Sequence, residues 1–355
     1  MVHATAINPK TACLLSSIAY CANVQQALNT YMKGWKAVWN PIAIKGTYAF
    51  VAQDPTQTSY VIAIRGSLLN FSWGAFYNWI EQDLNVATQV NWPYAQAGIT
   101  NAKVSQGAWD ALQDLQSMGD RATLRTLIQF LATLPPTASI SVVGHSLGGN
   151  LATTTASWLY WWFNQAGKTR NNISVCTFAA PAAGNQFFAQ DFNSKLPVSM
   201  RFESINDIVP KFPVASEVLG LRDLYVPSPA ATEIIVFHLG YDMYLSYFFY
   251  LASGGIIDVE YKSGFYINNV WNNSYYTQPD GSGYLMNIPV SGKYPTNDVT
   301  DWLEEAAYQH SINQYSTALG VPLVSCVPSI EMMMGKKIST RATKAKPKPK
   351  ARKTK

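Results

Sequence analysis

Short β-branched runs alternate along this chain with longer segments of helical periodicity. Ser139-Ile140-Ser141-Val142-Val143 predicts a buried strand. Asn150 to Phe163, free of glycine and proline, predicts the helix that follows it. Tyr48 to Ala52 and Ser59 to Ile64 predict adjacent strands, and Ile173 to Ala179 and Met200 to Asn206 predict two more. Leu124, Leu127, Ile128, Leu131 and Leu134 fall at helical spacing, and Pro135-Pro136 ends that stretch. Thr11 to Tyr20 reads as a first helix packed on the core, and Trp302 to Leu319 as one helix near the end of the domain. Strand and helix signals in alternation predict an α/β chain with a mostly parallel central sheet flanked by helices. From Tyr241 to Gly292 the pattern changes to Tyr, Gly, Ser and Asn without a long amphipathic segment. That stretch reads as an insertion or an elaborated edge of the same domain.

Composition sharpens this picture. The 355 residues are enough for one large core. Charged residues make up only 13%, against roughly 25% in an average domain. Aromatics are plentiful, and the densest cluster is Trp158-Leu159-Tyr160-Trp161-Trp162-Phe163. A helix carrying that cluster is apolar almost all round, which favours core packing over a lipid-facing patch. Met243 to Ile257 is uncharged but is 15 residues long and contains Gly254-Gly255, whereas a membrane span needs about 20 apolar residues. The N-terminus lacks the charge and apolar pattern of a signal peptide. The four cysteines, Cys13, Cys21, Cys176 and Cys326, are scattered without zinc spacing. These features lead to the expectation of an intracellular protein with free thiols, peripheral to membranes at most, with no metal and no cofactor; the sequons at Asn70, Asn172 and Asn272 carry little weight without secretion.

The C-terminus is a separate physical object. Lys336 to Lys355 holds ten of the 26 Lys and Arg and no acid, so residues 1–335 carry 16 basic against 21 acidic groups. The net charge of +5 therefore comes wholly from this segment. Its Lys346-Pro347-Lys348-Pro349-Lys350 run predicts an extended, disordered tail (336–355) beside one folded domain (1–335). Three roles stay open for it: binding an anionic membrane surface, binding nucleic acid, or simple solubilisation.

The chemistry centres on Gly144-His145-Ser146-Leu147-Gly148-Gly149. Placed between a predicted strand and a predicted helix, this Gly-x-Ser-x-Gly reads as a nucleophile elbow. Ser146 would sit on a strained turn with its hydroxyl above the sheet, and Gly144 and Gly148 bring no Cβ to crowd it. A serine nucleophile needs a base and an orienting acid. Of the four histidines, His3 lies in the terminus and His145 is expected to point off the turn, which leaves His238 and His310. Asp207 follows the strand predicted at Met200 to Asn206, where open α/β sheets carry their functional groups.

These residues resemble the class 3 lipases, the fungal triacylglycerol lipase-like α/β-hydrolases. Val61-Ile62-Ala63-Ile64-Arg65-Gly66-Ser67 is similar to the family's oxyanion strand and loop, and Asn78-Trp79-Ile80 through Asp83-Leu84 to the segment after its lid. The elbow resembles the family's at every position. Thr177-Phe178-Ala179-Ala180-Pro181 with Gly184-Asn185, and Asn206-Asp207-Ile208-Val209-Pro210, look like the next strand and the catalytic-acid motif. Pro181-Ala182-Ala183 departs from the Pro-Arg-Val often seen there. His310-Ser311, followed by Tyr315, resembles the site of the family's base, and Phe237-His238-Leu239-Gly240 a histidine–glycine segment before it. The resemblance implies an α/β-hydrolase fold, a lid-like cover at Leu68 to Trp79, and a Ser146, Asp207, His310 triad. It also implies an oxyanion hole at the amides of Ser67 and Leu147. The implied activity is hydrolysis of acyl esters of lipids through an acyl-enzyme. A phospholipase A1, a carboxylesterase for soluble esters, and a retired hydrolase scaffold that binds through its tail are the alternatives.

Overall fold

The computed structural model describes residues 5–67, 85–86, 88–167, 172–218, 220–236, 242–244, 276–280 and 282–326. Among these, seven strands form the main sheet: β1 (Lys36–Trp39), β2 (Ala49–Gln53), β3 (Ser59–Ile64), β4 (Ser139–His145), β5 (Ile173–Phe178), β6 (Ser199–Ser204) and β7 (Ser282–Met286). They lie side by side in chain order. The first two pairings are antiparallel; β3 through β7 are parallel neighbours. The parallel part is what short strands joined by helical crossovers produce. β7 lies inside the stretch expected to be an insertion or an edge, and it is the edge strand of this sheet.

Both faces of the sheet are covered, and the period-2 alternation of each strand feeds two cores. Ile62 and Ile64 of β3 join Leu151, Ala152, Leu159 and Phe163 on one face. Val61 and Ala63 join Ala12, Leu15 and Ile18 on the other. The first face is packed by α3 (Gln106–Ser117), α5 (Leu147–Gln165) and α6 (Gln186–Lys195). The second takes α1 (Pro9–Ile18) and α8 (Ile312–Ala318). Of the aromatic cluster, Trp158, Leu159 and Phe163 are buried, in line with core packing.

Three expectations need correction. The helix drawn through Leu124 to Leu134 is only α4 (Leu127–Leu131). Leu124 has φ +57° and is 80% exposed, and a Thr126–Gln129 capping box starts the helix after it. The single helix over 302–319 is two helices, α7 (Val299–His310) and α8, broken at Ser311. Ser311 is at once the C-cap of the first and the N-cap of the second, with extended backbone and its side chain accepting from Asn313 N–H. The cysteines are not all free thiols: Cys21 and Cys326 form a disulfide across 305 residues of sequence. Their Cα atoms are brought to 5.6 Å because residues 321–326 return along α1 and α2 (Val24–Tyr31), where Tyr31 Oη donates to the Ser325 carbonyl. Sequence distance says nothing about such a meeting. Cys13 and Cys176 stay free and buried.

Candidate active site

The turn after β4 carries Ser146 at φ +60°, ψ −132°. An L-residue holds this region only when its surroundings dictate it, and here they do. Gly144 is packed so tightly that a Cβ would run into the Gly148 carbonyl, and a Cβ on Gly148 would meet the Ile64 carbonyl of β3. Ser146 N–H donates to the Phe178 carbonyl at the end of β5, 2.9 Å away. Ser146 is the N-cap of α5, yet its side chain caps nothing. Elsewhere in the chain Asn8, Ser105, Asp298 and Ser311 each accept from the first turn of their helices, as N-cap side chains normally do.

The Ser146 hydroxyl instead lies 2.9 Å from His310 Nε2. His310 is the last residue of α7, and the helix breaks directly after it at Ser311. His310 Nδ1 lies 3.0 Å and 3.1 Å from the two carboxylate oxygens of Asp207. Asp207 stands three residues beyond β6 and is fully buried. Besides His310 it accepts from Tyr315 Oη at 2.8 Å and from Val209 N–H at 2.9 Å. A buried carboxylate with three donors is held in one orientation and keeps its solvation by protein groups. Burial and the neighbouring Asp207 charge hold the Tyr315 phenol well above its ordinary range, so it remains a donor. Tyr315 also accepts from Ser204 N–H at 3.0 Å. It sits five residues past His310, on the next helix, so the sequence offered only its nearness to that site.

Two residues that sequence reasoning passed over complete the surroundings. His145, expected to point off the turn, is 5% exposed and lies beside His310. Its Nε2 is 2.8 Å from the His310 carbonyl, and its Nδ1 is 2.8 Å from Tyr20 Oη. The two imidazole rings are 4.8 Å apart. Burial and the charge of a protonated His310 hold His145 well below the usual histidine range. Ser67 follows β3, half-buried. The residue before it, Gly66, packs against the elbow: a Cβ there would lie 3.1 Å from Ser146 Cβ. Leu147 opens α5, in the turn whose amides have no intrahelical acceptor. Of the remaining expectations, His3, His238, the lid segment Leu68 to Trp79 and the tail 336–355 lie outside the described residues. Among the described residues no group of three or more His, Cys, Asp or Glu is placed to hold a metal, and no helix is long and apolar enough to cross a membrane.

Comparison with known proteins bears on this arrangement. The chain is 25% identical over 168 residues to the secreted mono- and diacylglycerol lipase 1 of Fusarium solani, covering 47% of this chain and 43% of that protein. It is 28% identical over 178 residues to a lipase of Rhizomucor miehei, covering 50% of this chain and 44% of that one. The chain thus spans less than half the length of these relatives. The crystal structure of M37 lipase superposes with a TM-score of 0.69 at 22% identity, over 89% of this chain and 95% of that one, which establishes the shared α/β-hydrolase fold. The profile of the family described as "Lipase (class 3)" matches residues 61–217, from β3 through the elbow to Asp207 and beyond. His310 lies outside that match and reaches the site through the fold. Over residues 61–217 the chain is thus similar to the class 3 lipases.

Proposed function

We propose that this protein is a serine ester hydrolase that cleaves acyl esters of lipids, with Ser146 as nucleophile, His310 as base and Asp207 as the acid that orients it. The observation that carries this reading is the unbroken hydrogen-bonded line Ser146 Oγ–His310–Asp207, formed by an N-cap serine that forgoes its cap. His310 Nε2 takes the hydroxyl proton as Oγ attacks the ester carbonyl, while Asp207 fixes the Nδ1–H tautomer and favours the imidazolium. The amides of Ser67 and Leu147 are the donors we assign to the oxyanion, each worth about 3 kcal/mol of barrier. What supports them is the contact of Gly66 with the elbow and the open first turn of α5. His310 then gives its proton to the leaving alcohol, and water repeats the sequence on the acyl-enzyme.

Ser146→Ala, His310→Ala and Asp207→Asn should each lower kcat by several orders of magnitude without additivity, because the three act as one unit. Retained melting temperature with lost hydrolysis of a short-chain ester is the expected result. A fluorophosphonate that fails to label Ser146 in the wild-type protein would instead favour a retired scaffold. A series of acyl esters of rising chain length, with phospholipid included, separates a lipase from a carboxylesterase or a phospholipase A1.

The Cys21–Cys326 bond supports an oxidising compartment over the intracellular setting expected from the sequence. The basic segment 336–355 is proposed as a tether to anionic lipid, on the strength of its ten positive charges. Vesicle binding by the full chain, weakened by salt and lost on deleting the segment, is the expected outcome; binding unchanged by the deletion would reject it.

A further inference from the structure

Tyr20 and His145 have no part in the proposed proton transfers, yet His145 is buried against His310 and half-buried Tyr20 bonds to His145. His145 Nε2 faces the His310 carbonyl at 2.8 Å. A carbonyl only accepts, so Nε2 carries the hydrogen and Nδ1 presents a lone pair. That lone pair accepts from Tyr20 Oη, 2.8 Å away. Tyr20 Oη in turn lies hard against Gly66, where a Cβ would run into it. Both donors therefore point the same way: Tyr20 O–H to His145, and His145 N–H to His310. Hydrogen bonds aligned head to tail polarise and strengthen one another. The direction holds only while His145 is neutral, since a second ring proton would remove the acceptor of the Tyr20 hydroxyl.

Each end of this line is fixed at a place that matters. At one end Tyr20 Oη packs against Gly66, which immediately precedes Ser67, the residue assigned to the oxyanion. Gly66 also packs against Ser146 and the His145 carbonyl. At the other end is the main chain of His310 where α7 stops. Carbonyls in a final helical turn lack helical donors, and His145 supplies one here. The nucleophile and the base are thereby tied twice: Ser146 Oγ to the His310 side chain, and the neighbouring His145 side chain to the His310 backbone. Tyr20 is anchored in turn by α1, which ends at Ile18, and by Cys21 next to it, whose disulfide secures that turn.

We infer that Tyr20 and His145 are positioning residues which lock the oxyanion loop and the catalytic base into one geometry. This rests on the hydrolase reading above. Their loss should lower the rate at each competent site while leaving the site able to bind substrate.

The test compares Tyr20→Phe, His145→Phe, His145→Gln and the double variant Tyr20→Phe/His145→Phe. Active sites are counted by fluorophosphonate labelling, and kcat and KM are measured per labelled site on a short-chain ester. Tyr20→Phe removes one oxygen and should lower kcat about tenfold with KM changed less than about twofold. His145→Phe should lose at least as much. His145→Gln keeps a donor for the His310 carbonyl and should recover part of that loss. The double variant should match His145→Phe alone, since Tyr20 acts through His145. A merely structural role would lower the labelled fraction and the melting temperature but leave kcat per labelled site at the wild-type value in Tyr20→Phe and His145→Gln; that result would overturn the inference. Additive losses in the double variant would overturn it as well. If His145→Phe does not fold, Tyr20→Phe and His145→Gln decide. Failure of the hydrolase reading is a different result: Ser146→Ala would then hydrolyse ester as fast as wild type.

Discussion

His145 and Glu203 both change protonation between the folded and unfolded chain in the same pH window, and they act in opposite directions. His145 is held below its ordinary value of 6.5 by burial and by the His310 charge. The unfolded chain therefore takes up a proton near pH 6.5 that the folded chain refuses, and stability from this group is present above that pH and lost as pH falls below it. Glu203 is pushed up to about 7 from 4.5 by burial, against the pull of Arg201. Here the folded chain binds the extra proton, so stability falls as pH rises from about 4.5 to about 7. Each group changes stability by at most about 1.4 kcal/mol per pH unit. Removing one should expose the other. Between pH 7 and 5, His145→Gln should gain stability relative to wild type and Glu203→Gln should lose it, read from urea midpoints at each pH. Parallel pH profiles for wild type and both variants would show that neither group titrates as its surroundings dictate.

At the scale of elements, the elbow depends on α5 starting hard against β3. Gly148→Ala isolates that dependence, because two effects oppose each other. Alanine is the better helix former by about 1 kcal/mol. Its Cβ, however, would meet the Ile64 carbonyl and come within 2.8 Å of the Arg65 carbonyl carbon and the Gly66 nitrogen. These are backbone atoms of a buried strand end and cannot swing aside, and overpacking of this kind costs typically 1–3 kcal/mol. The clash should win: Gly148→Ala is expected to melt lower and to lose activity as Gly66 is pushed from Ser146. A variant that melts higher at full activity would refute the close approach. The same scale explains what could be read from the sequence. Strand, elbow and helix were legible from residues 139–163 because period, glycine spacing and propensity are all local there. The break at Ser311 was not, because apolar periodicity runs through it. What ends α7 is a serine that caps on both sides and a His145 side chain from 165 residues earlier that takes the last carbonyl. Leu124 failed for a local reason that spacing alone cannot see: the Thr126–Gln129 capping box starts the helix later. Asp207 and His310 were legible as residue types in matching positions. The supports of the site, Tyr20, His145 and Tyr315, were not, since each acts on a partner more than 100 residues away.

For the molecule as a whole, the sheet order places Ser146 at the end of the central strand and Asp207 two strands away, while His310 arrives from the C-terminal helices that pack beside α1. The chain ends of the described domain therefore bear on the site: α1 leads into Tyr20, and residues 321–326 lie against α1 and α2. The Cys21–Cys326 disulfide closes this arrangement over 305 residues. In the chain-entropy account, the long loop it forms restricts the unfolded state by roughly 6 kcal/mol, although disulfides typically deliver less than that. Cys326→Ser should lower stability by roughly 2–4 kcal/mol, and Cys21→Ser by a similar amount. The double substitution should cost no more than either alone, because each removes the same bond. Titration of the unfolded, unreduced protein should find the thiols of Cys13 and Cys176 and no others. Four reactive thiols, or melting temperatures unmoved by reductant, would show that the chain functions without the bond and would restore the free-thiol reading of its sequence. Two thiols with a reductant-sensitive melt would instead tie stability of the active-site framework to an oxidising environment, because the bond secures the residue next to Tyr20.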